Sequence, residues 1–152
     1  MKNSFKPLLV GAALFLIVIG LTAARNNTSD SSSVTATAQH AGDEIAWLTD
    51  LDAALAKSEE TGRPVMVDFF ATWCLPCKML DAQTYSDSRV IKASKNWIMV
   101  RIDVDKNRAL AQQYEIRSIP TIVVLEPDGN EVNRTAGFIP PGLMLSKMQA
   151  KG

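Results

Sequence analysis

Cysteine and histidine are nearly absent from this 152-residue chain, which has two of the first and one of the second. Two cysteines cannot staple a disulfide-dense miniprotein, and with His40 as the lone imidazole they cannot complete a four-ligand structural zinc site, so no metal is expected. An excess of either charge is lacking too, with 16 Lys and Arg against 16 Asp and Glu and no basic patch in the pattern. The long-range field that draws a nonspecific binder to phosphate is therefore missing, and no nucleic-acid partner is expected. Nor is there an internal repeat. What remains is a length suited to one domain, with 47% hydrophobic residues, enough to fold around its own core.

Charge is also absent from one long run. Lys2 and Lys6 precede an apolar segment from Leu8 to Leu21 that carries no charged residue. Extended to Ala24, it would reach about 25 Å as a helix, slightly short of a hydrocarbon core of roughly 30 Å. Residues 1–24 thus fit either a signal anchor or a signal peptide, and cleavage after Ala24 would set Thr22 and Ala24 at the small-residue positions. Both readings hold the basic amino end inside and place the rest outside the cytoplasm, in the periplasm or at the cell exterior, membrane-associated through residues 7–24 if uncleaved. Residues 25–42 turn to Asn, Thr, Ser, Ala and Asp without apolar periodicity and read as a flexible linker, with His40 a solvated side chain in it. Lys2 and Lys6 are the only charges in the first 24 residues, so the neutral total conceals a slightly acidic remainder.

From residue 43 to 152, short apolar runs alternate with amphipathic stretches, the pattern of an α/β domain. Ile45 to Leu48 is expected as a first strand. A helix capped by Thr49 or Asp50 follows, with Leu51, Ala54 and Leu55 on one face and Gly62 and Pro64 at its end. Residues 65–70 are apolar except for Asp68, as expected of a central strand covered on both sides. Met79, Leu80 and Ala82 belong to a helix, and a second helical piece begins near Ser86 or Asp87. Ile98 to Val104 and Thr121 to Leu125 are strands flanking a helix from Asn107 to Tyr114. Residues 127–130 form a turn, Glu131 to Ala136 an edge strand, and Pro140 opens a last helix whose Leu143, Met144 and Met148 should face the sheet.

Both cysteines lie where the buried strand gives way to a helix, in Trp73-Cys74-Leu75-Pro76-Cys77-Lys78. Residues three apart on a first helical turn share a face, close to the Cα separation of roughly 5.5 Å that a disulfide prefers. Cys74, at the helix start, meets unpaired N–H groups that stabilise a thiolate, and is the natural attacking thiol. Cys77 should be less exposed and placed to resolve a mixed disulfide. Haem attachment would need His where Lys78 stands, and half a zinc site has no second ligand pair. A purely structural disulfide stays open, although closing so short a loop contributes little stability.

Three segments then carry a resemblance. Residues 67–78 (Val-Asp-Phe-Phe-Ala-Thr-Trp-Cys-Leu-Pro-Cys-Lys), Val104-Asp105 and residues 114–121 (Tyr-Glu-Ile-Arg-Ser-Ile-Pro-Thr) resemble thioredoxin, in order and over the whole domain from about Ile45 to Met148. Within that superfamily, residues 62–68 (Gly-Arg-Pro-Val-Met-Val-Asp) and Thr84-Tyr85-Ser86-Asp87 are similar to the exported thioredoxin-like domain of the DsbD thiol:disulfide interchange proteins. The resemblance implies a thioredoxin fold, a central mixed β-sheet flanked by helices. It makes Cys74 and Cys77 the catalytic pair and Asp68 the buried acid that shuttles the proton of Cys77. Arg101 would be the basic neighbour of Asp68, with a simple buried ion pair as the plainer role. Pro120 would be a cis-proline facing the cysteines, and Ile119 before it the residue whose backbone pairs with a substrate chain. Trp73 would shield the thiolate, or merely pack in the core. Gly137 would line the docking groove, or simply form a turn, and Lys78 would add positive potential, or be a solvated lysine.

The expected activity is an extracytoplasmic thiol–disulfide oxidoreductase without any cofactor beyond its own redox-active disulfide. Its partners would be proteins bearing disulfides or thiols, together with a membrane electron donor supplied by another protein, since no multi-helix electron-carrying segment accompanies the domain. Leu75-Pro76 keeps the proline found before the second cysteine of reducing thioredoxins, which favours a reductase. Two alternatives stand: a non-catalytic binding module with a structural disulfide, and a reductant dedicated to cytochrome c or copper-site assembly.

Overall fold

The computed structural model describes residues 44–149, and the anticipated signal segment and linker, with His40, lie outside them. Among the described residues no helix is long and apolar enough to cross a membrane. The elements run β1 (Trp47–Leu48), α1 (Leu51–Thr61), β2 (Val65–Phe70), α2 (Leu75–Leu80), a π-helical turn (Asp81–Tyr85), α3 (Ser88–Ser94), β3 (Ile98–Asp103), α4 (Arg108–Gln113), β4 (Thr121–Leu125), β5 (Glu131–Ala136) and α5 (Pro141–Gln149). The strands form one five-stranded sheet in the order β1-β3-β2-β4-β5. β3 pairs parallel with both β1 and β2, whereas β4 pairs antiparallel with β2 and β5. This is the mixed α/β thioredoxin fold anticipated above.

β2 is central because both its faces are apolar. Val65, Val67 and Phe69 join Leu51 and Ala54 of α1 in one core, against which Leu110 and Tyr114 pack from the α4 side. Met66 points the other way, into a second core with Leu80, Tyr85, Val90, Ile91, Met144 and Met148. Period-two alternation therefore sends Asp68 to the face covered by α2 and the π-helical turn. Short side chains set the helix ends. Asp50 accepts from the N–H of Ala53 at 3.0 Å, and Gly62, at φ +68°, closes α1 in the left-handed conformation that glycine adopts without a Cβ penalty. Asp87 caps α3 by accepting from Arg89 N–H at 2.9 Å.

Two expectations need correction. The first strand is shorter than foreseen: Ile45 is buried, but only Trp47 and Leu48 pair with β3. Leu143 does not face the sheet. It is 47% exposed, while Met144 and Met148, one turn apart, hold the buried stripe. At about 100° per residue, Leu143 falls outside the stripe those methionines define. Truncating Met144 to Ala should cost about 2–5 kcal/mol, and Leu143 to Ala less than about 1 kcal/mol, by urea unfolding of the oxidised protein; equal losses would mean that α5 is seated differently.

Candidate active site

The chain leaves β2 at Phe70, passes through buried Ala71, and reaches Cys74, the N-cap of α2. Cys74 N–H donates to Ala71 C=O at 3.1 Å, which folds the loop back and aims Cys74 at the helix. Pro76 lies within the first turn, where its missing N–H leaves no helical bond unmade. Cys77 N–H then donates to Cys74 Sγ at 3.2 Å. The two cysteines are disulfide-bonded with their Cα atoms 5.3 Å apart, as the three-residue spacing predicts. In this oxidised form they are buried alike, Cys74 at 3% and Cys77 at 2% exposure, so the expected contrast between them is very small. Phe70, Val104 and Ile119 pack against the pair.

Ile119 belongs to the segment before β4, and its bond to Pro120 is cis. Pro120 is buried and Ile119 half-buried. Gly137 N–H donates to Pro120 C=O at 2.8 Å, tying the end of β5 to the proline. A Cβ at Gly137 would meet nothing within 4 Å, so its φ of +86°, not lack of room, calls for glycine there. Trp73 is not core packing: it is 67% exposed, and its Nε1–H donates to Asp105 Oδ2 at 2.8 Å. Leu75 at 68% and Met79 at 39% are also exposed, giving the cysteine-bearing helix an apolar surface that hydrophobic pattern alone would assign to the core. Lys78 is exposed.

Asp68 has no exposed surface. Arg101 lies opposite it in the β2–β3 register, with Nε 3.2 Å from Asp68 Oδ2 and Nη2 3.0 Å from Asp81 Oδ1. The Arg101–Asp68 contact is an ion pair by distance, yet neither carboxylate oxygen of Asp68 has a well-aligned hydrogen bond. Burial pushes the Asp68 carboxyl up to about 7, more than Arg101 pulls it down, and nearby Asp81 adds to the rise. The guanidinium of Arg101 sits 4.2 Å from the ring centroid of Phe70, 5.1 Å from Trp47 and 5.9 Å from Tyr85, so aromatic faces replace part of its lost hydration. Asp81, Tyr85 and Trp47 were not expected around Asp68, although Tyr85 stands in the DsbD-like segment 84–87. A π-helical turn carries the first two, and helical periodicity gives no warning of its extra residue.

A family model described as thioredoxin-like matches residues 46–127. The thiol:disulfide interchange protein DsbD of Colwellia psychrerythraea is 36% identical over 117 residues, covering 72% of this chain and 19% of that protein. The chain thus spans about a fifth of the length of such relatives. A thioredoxin from Mycoplasmoides gallisepticum is 40% identical over 88 residues, 58% of this chain and 84% of that one. Among solved structures, a thioredoxin from Thermus thermophilus superposes with TM-score 0.64 at 27% identity, over 71% of this chain and 87% of the other.

The raised Asp68 sets a pH dependence with a definite sign. Between about pH 4 and 7 the folded chain keeps a proton on Asp68 that the unfolded chain has released, so this group makes stability fall as pH rises through the window. Asp68→Asn cannot ionise. Relative to its own effect at pH 4, it should gain on the order of 2–4 kcal/mol over the parent at pH 8. Urea unfolding of the oxidised protein from pH 4 to 8 checks this, and a difference independent of pH would mean that Asp68 ionises in its ordinary range.

Proposed function

The chain belongs to the thioredoxin-like family of disulfide oxidoreductases, and from that premise we propose that it reduces disulfides of proteins outside the cytoplasm through Cys74 and Cys77. The observation that carries this reading is the position of Cys74. It caps α2, takes the Cys77 N–H on its sulfur at 3.2 Å, and lies under the cis Ile119-Pro120 segment. A donor aimed at that sulfur stabilises a thiolate there once the disulfide is reduced.

The chemistry follows in two exchanges. Cys74 thiolate attacks a substrate disulfide, bonds to one sulfur and expels the other as a thiolate. Cys77, giving its proton to Asp68, attacks Cys74 Sγ; the mixed disulfide breaks, the second substrate sulfur leaves as a thiolate, and the 74–77 disulfide closes. A carboxyl near 7 is suited to accept that proton and release it again at neutral pH. Asp81, one turn after Cys77 on the same helical face, connects the cysteine helix to Arg101 and hence to Asp68.

Substrate docks beside the pair. Half-buried Ile119 would offer its backbone to an extended chain, with exposed Trp73, Leu75 and Met79 as the apolar surround and Gly137 keeping the groove floor in shape. Lys78 would contribute only long-range positive potential. A membrane electron donor would return the closed pair to the dithiol, because thiols outside the cytoplasm are otherwise kept oxidised. The DsbD relatives and the apolar run of residues 8–21 support this location. Pro76 supports the reducing direction.

Replacing Cys77 by Ala in living cells should leave client proteins covalently held on Cys74, identified by mass analysis after acid quenching. No trapped species while Cys74 is reduced and accessible would sink the oxidoreductase reading. A reduction potential below about −300 mV would instead favour an inert structural bridge.

A further inference from the structure

Helical hydroxyls commonly turn back on the carbonyl four residues earlier, as Thr61 does in α1 and Ser146 in α5. Thr84 does not. It is wholly buried in the π-helical turn that continues α2, and its Oγ1 donates to the Ile139 C=O at 2.6 Å, across 55 residues of sequence. Buried Ile139 has no other donor for that carbonyl among the described residues. The next two residues, Pro140 and Pro141, carry no N–H, and the N–H groups of Leu143 and Met144 go to Pro140. Deleting the Thr84 hydroxyl would therefore strand a buried carbonyl.

That bond joins two sides of the cysteine site from behind. Gly137, two residues before Ile139, donates its N–H to Pro120 C=O at 2.8 Å. Segment 137–139 is thus gripped at one end by the cis-proline loop and at the other by the turn that extends the cysteine helix. Ile119 closes the circuit by packing against the disulfide. We infer, on the reading proposed above that a client chain docks along Ile119, that Thr84 is a positioning residue. It fixes the gap between α2 and the Pro120–Gly137 wall, and with it the fit of an extended peptide. A client whose backbone spans that gap depends on its width, whereas a disulfide too small to touch the wall does not. Seven residues beyond Cys77 and without exposed surface, Thr84 cannot meet a client itself. It acts on the choice between substrates and not on the exchange chemistry.

The reduced full-length chain is mixed either with hydroxyethyl disulfide or with a linear peptide whose central cysteine carries the same hydroxyethyl disulfide. Acid-quench mass analysis follows loss of the dithiol. In both reactions Cys74 thiolate bonds to one sulfur, the other leaves as a thiolate, and Cys77 then closes the pair. Thr84→Val keeps the shape of the side chain without its donor. It should lower the peptide rate about tenfold while the small disulfide stays within about twofold of the parent, and Thr84→Ser, which keeps a hydroxyl, should restore most of the ratio. A purely structural bond would lower the urea midpoint of Thr84→Val and leave the rate ratio parental; that result overturns the inference. Hydrogen exchange needs no change at Thr84. In the free parent, Gly137 N–H should already exchange as slowly as the paired amides of β4, and trapping the peptide on Cys74 of Cys77→Ala should slow it less than about tenfold. A larger slowing means that the client shapes the wall, which overturns the role of Thr84 even if Thr84→Val does not fold. If neither disulfide oxidises the parent, the oxidoreductase reading itself fails, whereas a parental ratio in Thr84→Val beside an active parent removes only the role of Thr84.

Discussion

A carboxyl group wholly withdrawn from water, on the strand that holds the sheet together, sets the terms for everything around it. An ionised carboxylate cannot sit in a dry interior without compensation, and here the compensation is partial. Arg101 lies 3.2 Å away, yet it is shared with Asp81 and turned among three aromatic rings. The balance of burial over pairing brings Asp68 to about 7, where both protonation states are populated near neutrality. A stronger ion pair would have fixed the charge and a wholly apolar pocket would have fixed the proton. The intermediate arrangement gives a group that exchanges protons.

The strand order explains how that group comes to lie on the strand that leads into the cysteines. β2 lies between β3 and β4, so its register opposes Asp68 to Arg101 on one side and Ile122 on the other. Its end feeds directly into α2, whose cap is Cys74. β4 runs antiparallel to β2, so the segment before it, with the cis Ile119-Pro120 bond, arrives at the edge where β2 ends. β5 then ties back through Gly137 to the Pro120 carbonyl. Cysteines, acid and proline are thus gathered near the end of β2 and the start of β4, brought there by the pairing of those two strands.

Much of this was legible beforehand, for identifiable reasons. The β2 strand, the α1 cap and its glycine stop, the α3 start at Asp87 and the turn before β5 each follow from local chemistry that a linear pattern records. The disulfide was legible because a three-residue spacing has only one geometry on a helical turn. Other features depend on residues distant in sequence. Trp73 stays in solvent because Asp105, on another segment, takes its indole N–H. Leu75 and Met79 are exposed although their apolar character would put them inside. The same blindness assigned Leu143 to the sheet side, since a short helix with several apolar residues does not declare which stripe the sheet will choose.

By itself the sequence determined the pair of cysteines, the strand-to-helix context in which they sit, and the lone acid in an otherwise apolar strand. These are matters of spacing and local backbone chemistry, which survive without a fold. Only the tertiary structure decided what surrounds that acid: an arginine from β3, a second carboxylate and a tyrosine from a π-helical turn, and a tryptophan from β1. The reason is physical. The proton affinity of a buried group depends on the dielectric and charges within a few ångströms, and those are supplied by chain segments whose proximity no local pattern encodes.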